Sequence, residues 1–170
     1  MKTLNPQGID DMLLYRLSQV LGTAGSLVTR LCEGEFGITR REWRVLAQLG
    51  KRDGILSSEL ADAALLDRAR TSRAVTALAA KQLVARVPRP HDRRQVALHL
   101  TEAGQALYER VLPRVLDIHQ ALVAPLRPQE AEQLEALLAV LQHQADAMQR
   151  GTDLPKADRR RGGRGRRERS

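Results

Sequence analysis

A chain of 170 residues suits one domain with enough interior for a real core. Hydrophobic residues make up 42% and charged residues 28%, while the 2% aromatic fraction leaves Leu, Val, Ile and Ala to build packed helices rather than a β-sandwich. The formal net charge of +8 sits mostly at the C-terminus, where eight basic residues from Lys156 to Arg169, against Asp158 and Glu168, supply +6 and leave +2 for the rest. No apolar run approaches the roughly 20 residues of a membrane span and no signal-peptide order opens the chain, so a cytoplasmic protein is expected. The single Cys32 excludes an internal disulfide framework and a multi-cysteine metal site.

Ile9, Leu13, Leu17, Val20, Leu21, Ala24, Leu27, Val28 and Leu31 recur at helical spacing and predict a long first helix, broken by Gly34 to Gly37. Thr39 opens a second helix, and Glu42 three residues later completes a capping box. That helix carries Trp43, Leu46 and Leu49 and stops near Gly50 and Gly54. Ser57 or Ser58 is expected to cap a short helix containing Leu60, Ala61 and Ala64, with Glu59 in its first turn. Asp67 then caps a helix running to about Lys81. Two short helices around a tight break form a helix-turn-helix signal.

The period then changes. Val84 and Arg86, and later Val96, Leu98 and Leu100, alternate as strands do, on either side of a charged, proline-containing stretch from Pro88 to Arg94. A hairpin with a basic tip follows. Thr101 caps the next helix, with Ala106, Leu107, Val111, Val115, Ile118 and Leu122 on one side and Pro113 expected to kink it or mark a local irregularity. After Pro125 and Pro128 a last helix bears Leu134, Leu137, Leu138, Leu141, Ala145 and Met148. From Gly151 the chain becomes Gly- and Arg-rich, and residues 151–170 read as a disordered basic tail.

The expected fold is mainly α with a small β-wing: a winged helix-turn-helix domain within residues 1–150. Its DNA-binding part spans about 39–100, and dimerisation helices cover about 9–33 and 101–149. These terminal helices carry more apolar surface than one small domain can cover, so a second copy completes a homodimer bundle.

The blocks Leu56-Ser57-Ser58-Glu59-Leu60-Ala61, Thr71-Ser72-Arg73-Ala74-Val75, Arg89-Pro90-His91-Asp92-Arg93-Arg94 and Leu98-His99-Leu100-Thr101-Glu102-Ala103-Gly104 together resemble the MarR family of winged-helix regulators. The resemblance covers about Ile9 to Met148. It implies a homodimer on a pseudo-palindromic operator in double-stranded DNA, usually a repressor, released when a small aromatic acid, a phenol or an oxidant reaches the cleft beside the dimer bundle. Two residues depart from the family's habit. Arg89 stands where an acidic residue is common, and Gln82 stands where glycine often ends the recognition helix. If Gln82 is left-handed there, the strain costs about 1 kcal/mol; otherwise the helix ends differently.

Arg68, Arg70, Thr71, Ser72 and Arg73 occupy the first two turns of the helix after Asp67, where recognition helices reach base edges. Arg70, Thr71 and Arg73 are the candidates for base contacts, arginine being suited to guanine O6 and N7, with Arg68 nearer the phosphates. Arg89, Arg93 and Arg94 form the basic wing tip, suited to the minor groove, and the resemblance implies that Asp92 orients one of these arginines. The bland alternatives are a solvated helix face and a charged hairpin that keeps edge strands soluble. For an effector, Tyr15 and Arg16 on the first helix, Trp43 and Arg44 on the second and His119 on the fifth are candidates, since an aromatic or heteroaromatic acid wants a cation and apolar walls. Trp43 reads more readily as a core residue than as a pocket wall.

Cys32, beside Glu33 and Glu35 with Arg30 the one nearby basic residue in sequence, reads as an inert thiol. The four histidines show no metal-ligand spacing, and neither cofactor nor enzymatic motif is present. Two rival readings stay open: a DNA-binding regulator with no small-molecule effector, and an architectural nucleic-acid binder driven by the arginine tail.

Overall fold

Capping chemistry sets most of the element boundaries in a computed structural model of the chain, which describes residues 3–89 and 92–153. Two compact units are present, Met1–Ala124 and Pro125–Ser170. In the first, a 3₁₀ turn over Ile9–Asp11 precedes α1 (Leu13–Glu35), followed by α2 (Arg40–Lys51), β1 (Ile55–Leu56), α3 (Ser57–Ala63), α4 (Arg68–Ala80), β2 (Val84–Arg89), β3 (Asp92–Leu100) and α5 (Glu102–Val123). The strands form one antiparallel sheet in the order β1-β3-β2, with Ile55 opposite Leu98 and Val84 opposite Leu100. The register slips between Pro88 and Arg89, so that Arg89 pairs with Asp92.

Leu46 and Leu49 of α2, Ile55 of β1, Leu60 of α3, Leu78 of α4 and Leu98 of β3 are fully buried together. Each such side chain contributes about 1.5–3 kcal/mol relative to exposure. This one core therefore holds the helix-turn-helix and the sheet as a single body.

The expected capping box is present. Thr39 Oγ1 accepts from Glu42 N at 3.2 Å, and Glu42 Oε2 accepts from Thr39 N at 2.6 Å. Glu42 is only 3% exposed, and Lys81 Nζ donates to both its carboxylate oxygens at 3.0 Å and to the Gly37 carbonyl at 2.9 Å. Asp67 caps α4 by accepting from Arg70 N at 2.8 Å. Thr101 caps α5 by accepting from Gly104 N at 3.0 Å, and its hydroxyl donates to the Gln82 carbonyl at 2.7 Å.

Both helices of the helix-turn-helix end alike. Leu66 N bonds Ala61 O and Leu65 N bonds Asp62 O at the end of α3; Leu83 N bonds Leu78 O and Gln82 N bonds Ala79 O at the end of α4. These are two Schellman closures, and each puts a non-glycine residue in the left-handed region, Leu65 at φ 52° and Gln82 at φ 57°. Of the two endings open to Gln82, the strained one is present.

Two expectations need correction, at the starts of α1 and α3. The first helix does not start at Ile9, because Met12 is extended and separates the 3₁₀ turn from α1. Neither Ser57 nor Ser58 caps α3: Leu56, held extended by its pairing with Ala97, is the N-cap, so both serines already lie inside the helix. Pro113 lies inside α5, on an exposed position of a segment that is helical from Glu102 to Val123. The strand β1 was not expected at all, since two residues carry no periodicity.

In the second unit α6 (Pro128–Gly151) starts with Pro128 at its first position, where a missing N–H costs nothing. Glu130 accepts from the Arg127 backbone and guanidinium at 2.9 and 2.6 Å, which holds its carboxyl below the usual range. Leu134, Leu137, Leu138, Val140, Leu141 and Met148 are exposed on α6. Among the described residues no helix is long and apolar enough to cross a membrane.

Two substitutions test these junctions by thermal and denaturant unfolding. Gln82→Gly removes the left-handed strain and is expected to stabilise by about 1 kcal/mol, whereas a loss would mean that the Gln82 side chain matters more than its backbone. Lys81→Met strands a buried carboxylate and is expected to cost about 1–3 kcal/mol; a neutral result would show that Glu42 is satisfied without it.

Candidate nucleic-acid interface

At 100° per residue, α4 divides into two arcs. Thr71, Ala74, Val75 and Leu78 fall on one side and are buried against the core. Arg68, Ser72, Thr76, Ala69, Arg73 and Arg70 span the other, and all are exposed. The outward arc thus runs from Arg68 on one flank through Ser72, Thr76 and Arg73 to Arg70 on the other. Arg70 Nε makes an ion pair of 3.1 Å with Asp67, the residue that caps the same helix.

Thr71 requires correction as a candidate base contact. It is 3% exposed, and its hydroxyl donates back to the Asp67 carbonyl at 2.9 Å. Its position was legible, because Thr71, Ala74, Val75 and Leu78 keep the i, i+3, i+4, i+7 spacing of an inward face. Thr76 is the outward residue that sequence reading missed. It accepts from Arg86 Nη2 at 2.8 Å, a bond that ties β2 of the wing to the middle of α4.

The wing leaves the core beside α4. Leu56, Ala61, Val75 and Val96, with the polar Ser57, Arg68, Ser72, Arg86 and Gln95, line a recess of about 480 Å³ between α3, α4 and the sheet. Arg89 is exposed at the end of β2. The backbone of Asp92, Arg93 and Arg94 opens β3, opposite Arg89; their side chains, together with Pro90, His91 and the tail arginines, lie outside the described residues. One exposed helix arc, a cationic flank and a hairpin tied to that helix make a surface able to take a polyanion along α4.

The five candidate effector residues do not share a cavity. Trp43 is buried and stacks on Tyr108 of α5, with ring centroids 5.9 Å apart and an interplanar angle of 20°. Tyr15 is half-buried, Arg16 is exposed and reaches Thr3 at 3.5 Å, and His119 is exposed on α5. Arg44 lines a recess between α1, α2 and the turn joining α3 to α4. There it is half-buried, and its guanidinium donates to the Leu65 carbonyl at 3.5 Å. Among the described residues no group of His, Cys, Asp and Glu is placed to hold a metal ion.

Residues 36–95 match the model of the MarR family. The multiple antibiotic resistance protein MarR of Escherichia coli is 33% identical over 102 residues, covering 59% of this chain and 71% of that protein. The crystal structure of a MarR/EmrR family transcriptional regulator from an Acinetobacter species superposes with a TM-score of 0.77 at 27% identity, covering 83% of this chain and 99% of that one. The structure of Bordetella bronchiseptica BpsR, a protein whose DNA binding is regulated by 6-hydroxynicotinic acid, superposes at 0.63 with 25% identity over 75% and 98% of the two chains.

Cys32 stands apart from this surface. It is completely buried, and burial pushes its thiol up to about 11, against a weaker pull downward from the Arg40 charge and a push upward from Glu33. The cation acting on it across space is Arg40, not its sequence neighbour Arg30. A thiol reagent at pH 8 is expected to leave the folded protein unmodified and to label it fully in denaturant; prompt native labelling would contradict the buried position. Because the folded thiol keeps its proton to higher pH than the unfolded one, its contribution to stability is intact below about pH 9 and is lost as pH rises towards about 11.

Proposed function

Because the chain belongs to the MarR family of transcriptional regulators, we propose that it acts in the cytoplasm as a homodimeric repressor. It binds a pseudo-palindromic operator in double-stranded DNA and leaves it when a small aromatic or heteroaromatic acid binds. The observation that carries the DNA-binding half is the outward arc of α4. Ser72, Thr76 and Arg73 are exposed along one line while Thr71 and Leu78 anchor the opposite side. Arg73 is suited to a guanine edge, Arg68 and Arg70 to flanking phosphates, and Arg89, Arg93 and Arg94, with Asp92 orienting one of them, to the neighbouring minor groove.

Dimerisation is supported by unpartnered apolar surface. Ile9, Met12, Leu14, Val20 and Leu21 before and along α1, and Leu116 and Leu122 of α5, are exposed in the first unit; α6 exposes six more apolar side chains in the second. Exposed apolar side chains recurring along a helix are what an interaction site presents. The effector half is supported by the BpsR similarity and by the recess position of Arg44. Tyr15, Arg16, Trp43 and His119 remain candidates only in a rearranged or dimeric cleft.

Fluorescence anisotropy with duplex DNA from upstream of the protein's own gene, against a scrambled duplex across a salt series, tests the reading. A preference of about 10³-fold or more is expected for the native duplex. Arg73→Ala should remove about 1–3 kcal/mol of that discrimination, while Thr71→Val should leave discrimination intact. Equal binding to both duplexes, collapsing with salt, would sink the specific-repressor reading at this operator. If a chain truncated after Gly151 lost most of its affinity, the architectural reading would take over.

A further inference from the structure

The sheet thins as it leaves the core. β1 spans two residues and pairs with Ala97 and Leu98, so from Val96 outward the wing is a two-stranded ribbon of β2 and β3. Burial falls in step: Val84 is buried and Ala85 half-buried, whereas Arg86, Val87, Pro88 and Arg89 are all exposed. A two-stranded ribbon has little stability of its own. Pro88, on the edge strand, has no N–H to add to the ladder, and the register slips between it and Arg89.

The ribbon also stands apart from α4. The recess between α3, α4 and the sheet has Arg68 and Ser72 on its helix side and Arg86, Gln95 and Val96 on its sheet side. Among the described residues, one side-chain hydrogen bond crosses from the exposed part of the wing to a helix, from Arg86 Nη2 to Thr76 Oγ1 at 2.8 Å. Thr76 follows Arg68 and Ser72 at four-residue intervals, so it lies on the flank of α4 that faces the wing. Arg86 sits opposite the buried Leu98, where the ribbon leaves the core. Three residues further out, Arg89 is about 10 Å beyond that rung, and a rotation of about 15° there would carry it about 2.6 Å sideways. That displacement is as long as a hydrogen bond.

We propose that Arg86 is a positioning residue, and that its bond to Thr76 is a strut fixing the angle between the wing and α4. The strut keeps minor-groove reading by the wing tip in register with major-groove reading by Arg73. The inference rests on the DNA-binding half of the proposed function and adds to it a pair that acts through the wing rather than by touching a base. The competing role for Arg86, an ordinary phosphate contact, predicts different outcomes below.

Hydrogen exchange on the full-length protein without DNA tests the strut. Thr76→Val removes the acceptor and keeps the shape; Arg86→Met keeps the stem and removes the donor. Each is expected to speed exchange in wing peptides covering residues 86–97 about fivefold, with α2 unchanged and Thr76→Ser behaving as the parent. The double variant should be no faster than either single one, because both remove the same bond. Unchanged wing exchange in Thr76→Val, or additive effects in the double variant, would overturn the strut.

Its part in recognition is read on duplex DNA from upstream of the protein's own gene, with the pairs at the edges of the footprint made G·C or inosine·C. These differ only by the guanine amino group in the minor groove. The parent and Thr76→Ser should prefer the inosine edges about tenfold, and Thr76→Val and Arg86→Met should cut this to about twofold without changing discrimination at the centre of each half-site. A parent that discriminates at the centre but ignores the amino group sinks the inference alone. If Thr76→Val keeps the parent's preference while Arg86→Met lowers the salt slope by about 1, Arg86 is a phosphate contact and not a strut. A parent with no preference for the native duplex over a scrambled one sinks the operator reading, and the inference with it.

Discussion

One buried carboxylate fixes where the exposed helix face points. Glu42 sits out of water, where an unpaired charge would be too costly to keep. It is satisfied from two directions: by the Thr39 amide at the start of its own helix and by Lys81 arriving from the end of α4. Lys81 also holds the Gly37 carbonyl in the turn before α2. The start of α2, the turn that leads into it and the end of α4 therefore share a single junction. Sliding α4 along α2 would break that junction as well as the apolar contacts between the two helices. The rotation that buries Thr71 and Leu78 and presents Ser72 and Arg73 is set there as much as by the leucine core.

The basic residues of the first unit sort by what they already hold. Lys81 holds Glu42, Arg114 holds Glu35 through two bonds, Arg110 lies over the Phe36 ring, and Arg86 holds Thr76. These cations serve the fold. Arg68 and Arg73 form no ion pair among the described residues and stand on the outward arc of α4. A net charge of +8 says nothing of this division. It emerges only when each cation is followed to its neighbour, and it separates the residues that position the surface from those left to meet a partner.

Local rules recovered most of the fold from the residues alone. Thr39 with Glu42, Asp67 and Thr101 each announce a helix because a side-chain oxygen must meet an orphan amide within three residues. Gln82 announced its own strain for the same local reason. What stayed hidden depended on distant partners. Leu56 displaces Ser57 and Ser58 as a cap because Ala97, far along the chain, holds it extended. No spacing rule links Arg40 to Gly25, which lies beneath its guanidinium on another helix. The bond from Arg86 to Thr76 likewise joins a strand to a helix, and no spacing rule links them. Thr71 is different, since its inward phase was readable and its position near the front of the helix diverted attention from it.

The seam between α4 and α5 has a mechanical meaning. Gly104 lies so close to the Leu83 carbonyl that a methyl group has no room, and Thr101 bridges the two helices through its hydroxyl. Such a seam has little slack. If α5 tilts, the end of α4 must go with it, much as a clock hand follows its arbor. In a two-fold assembly built on these helices, the distance between the two α4 faces would then be a property of α5, and a change in the bundle angle would read out as a change of reach along the duplex.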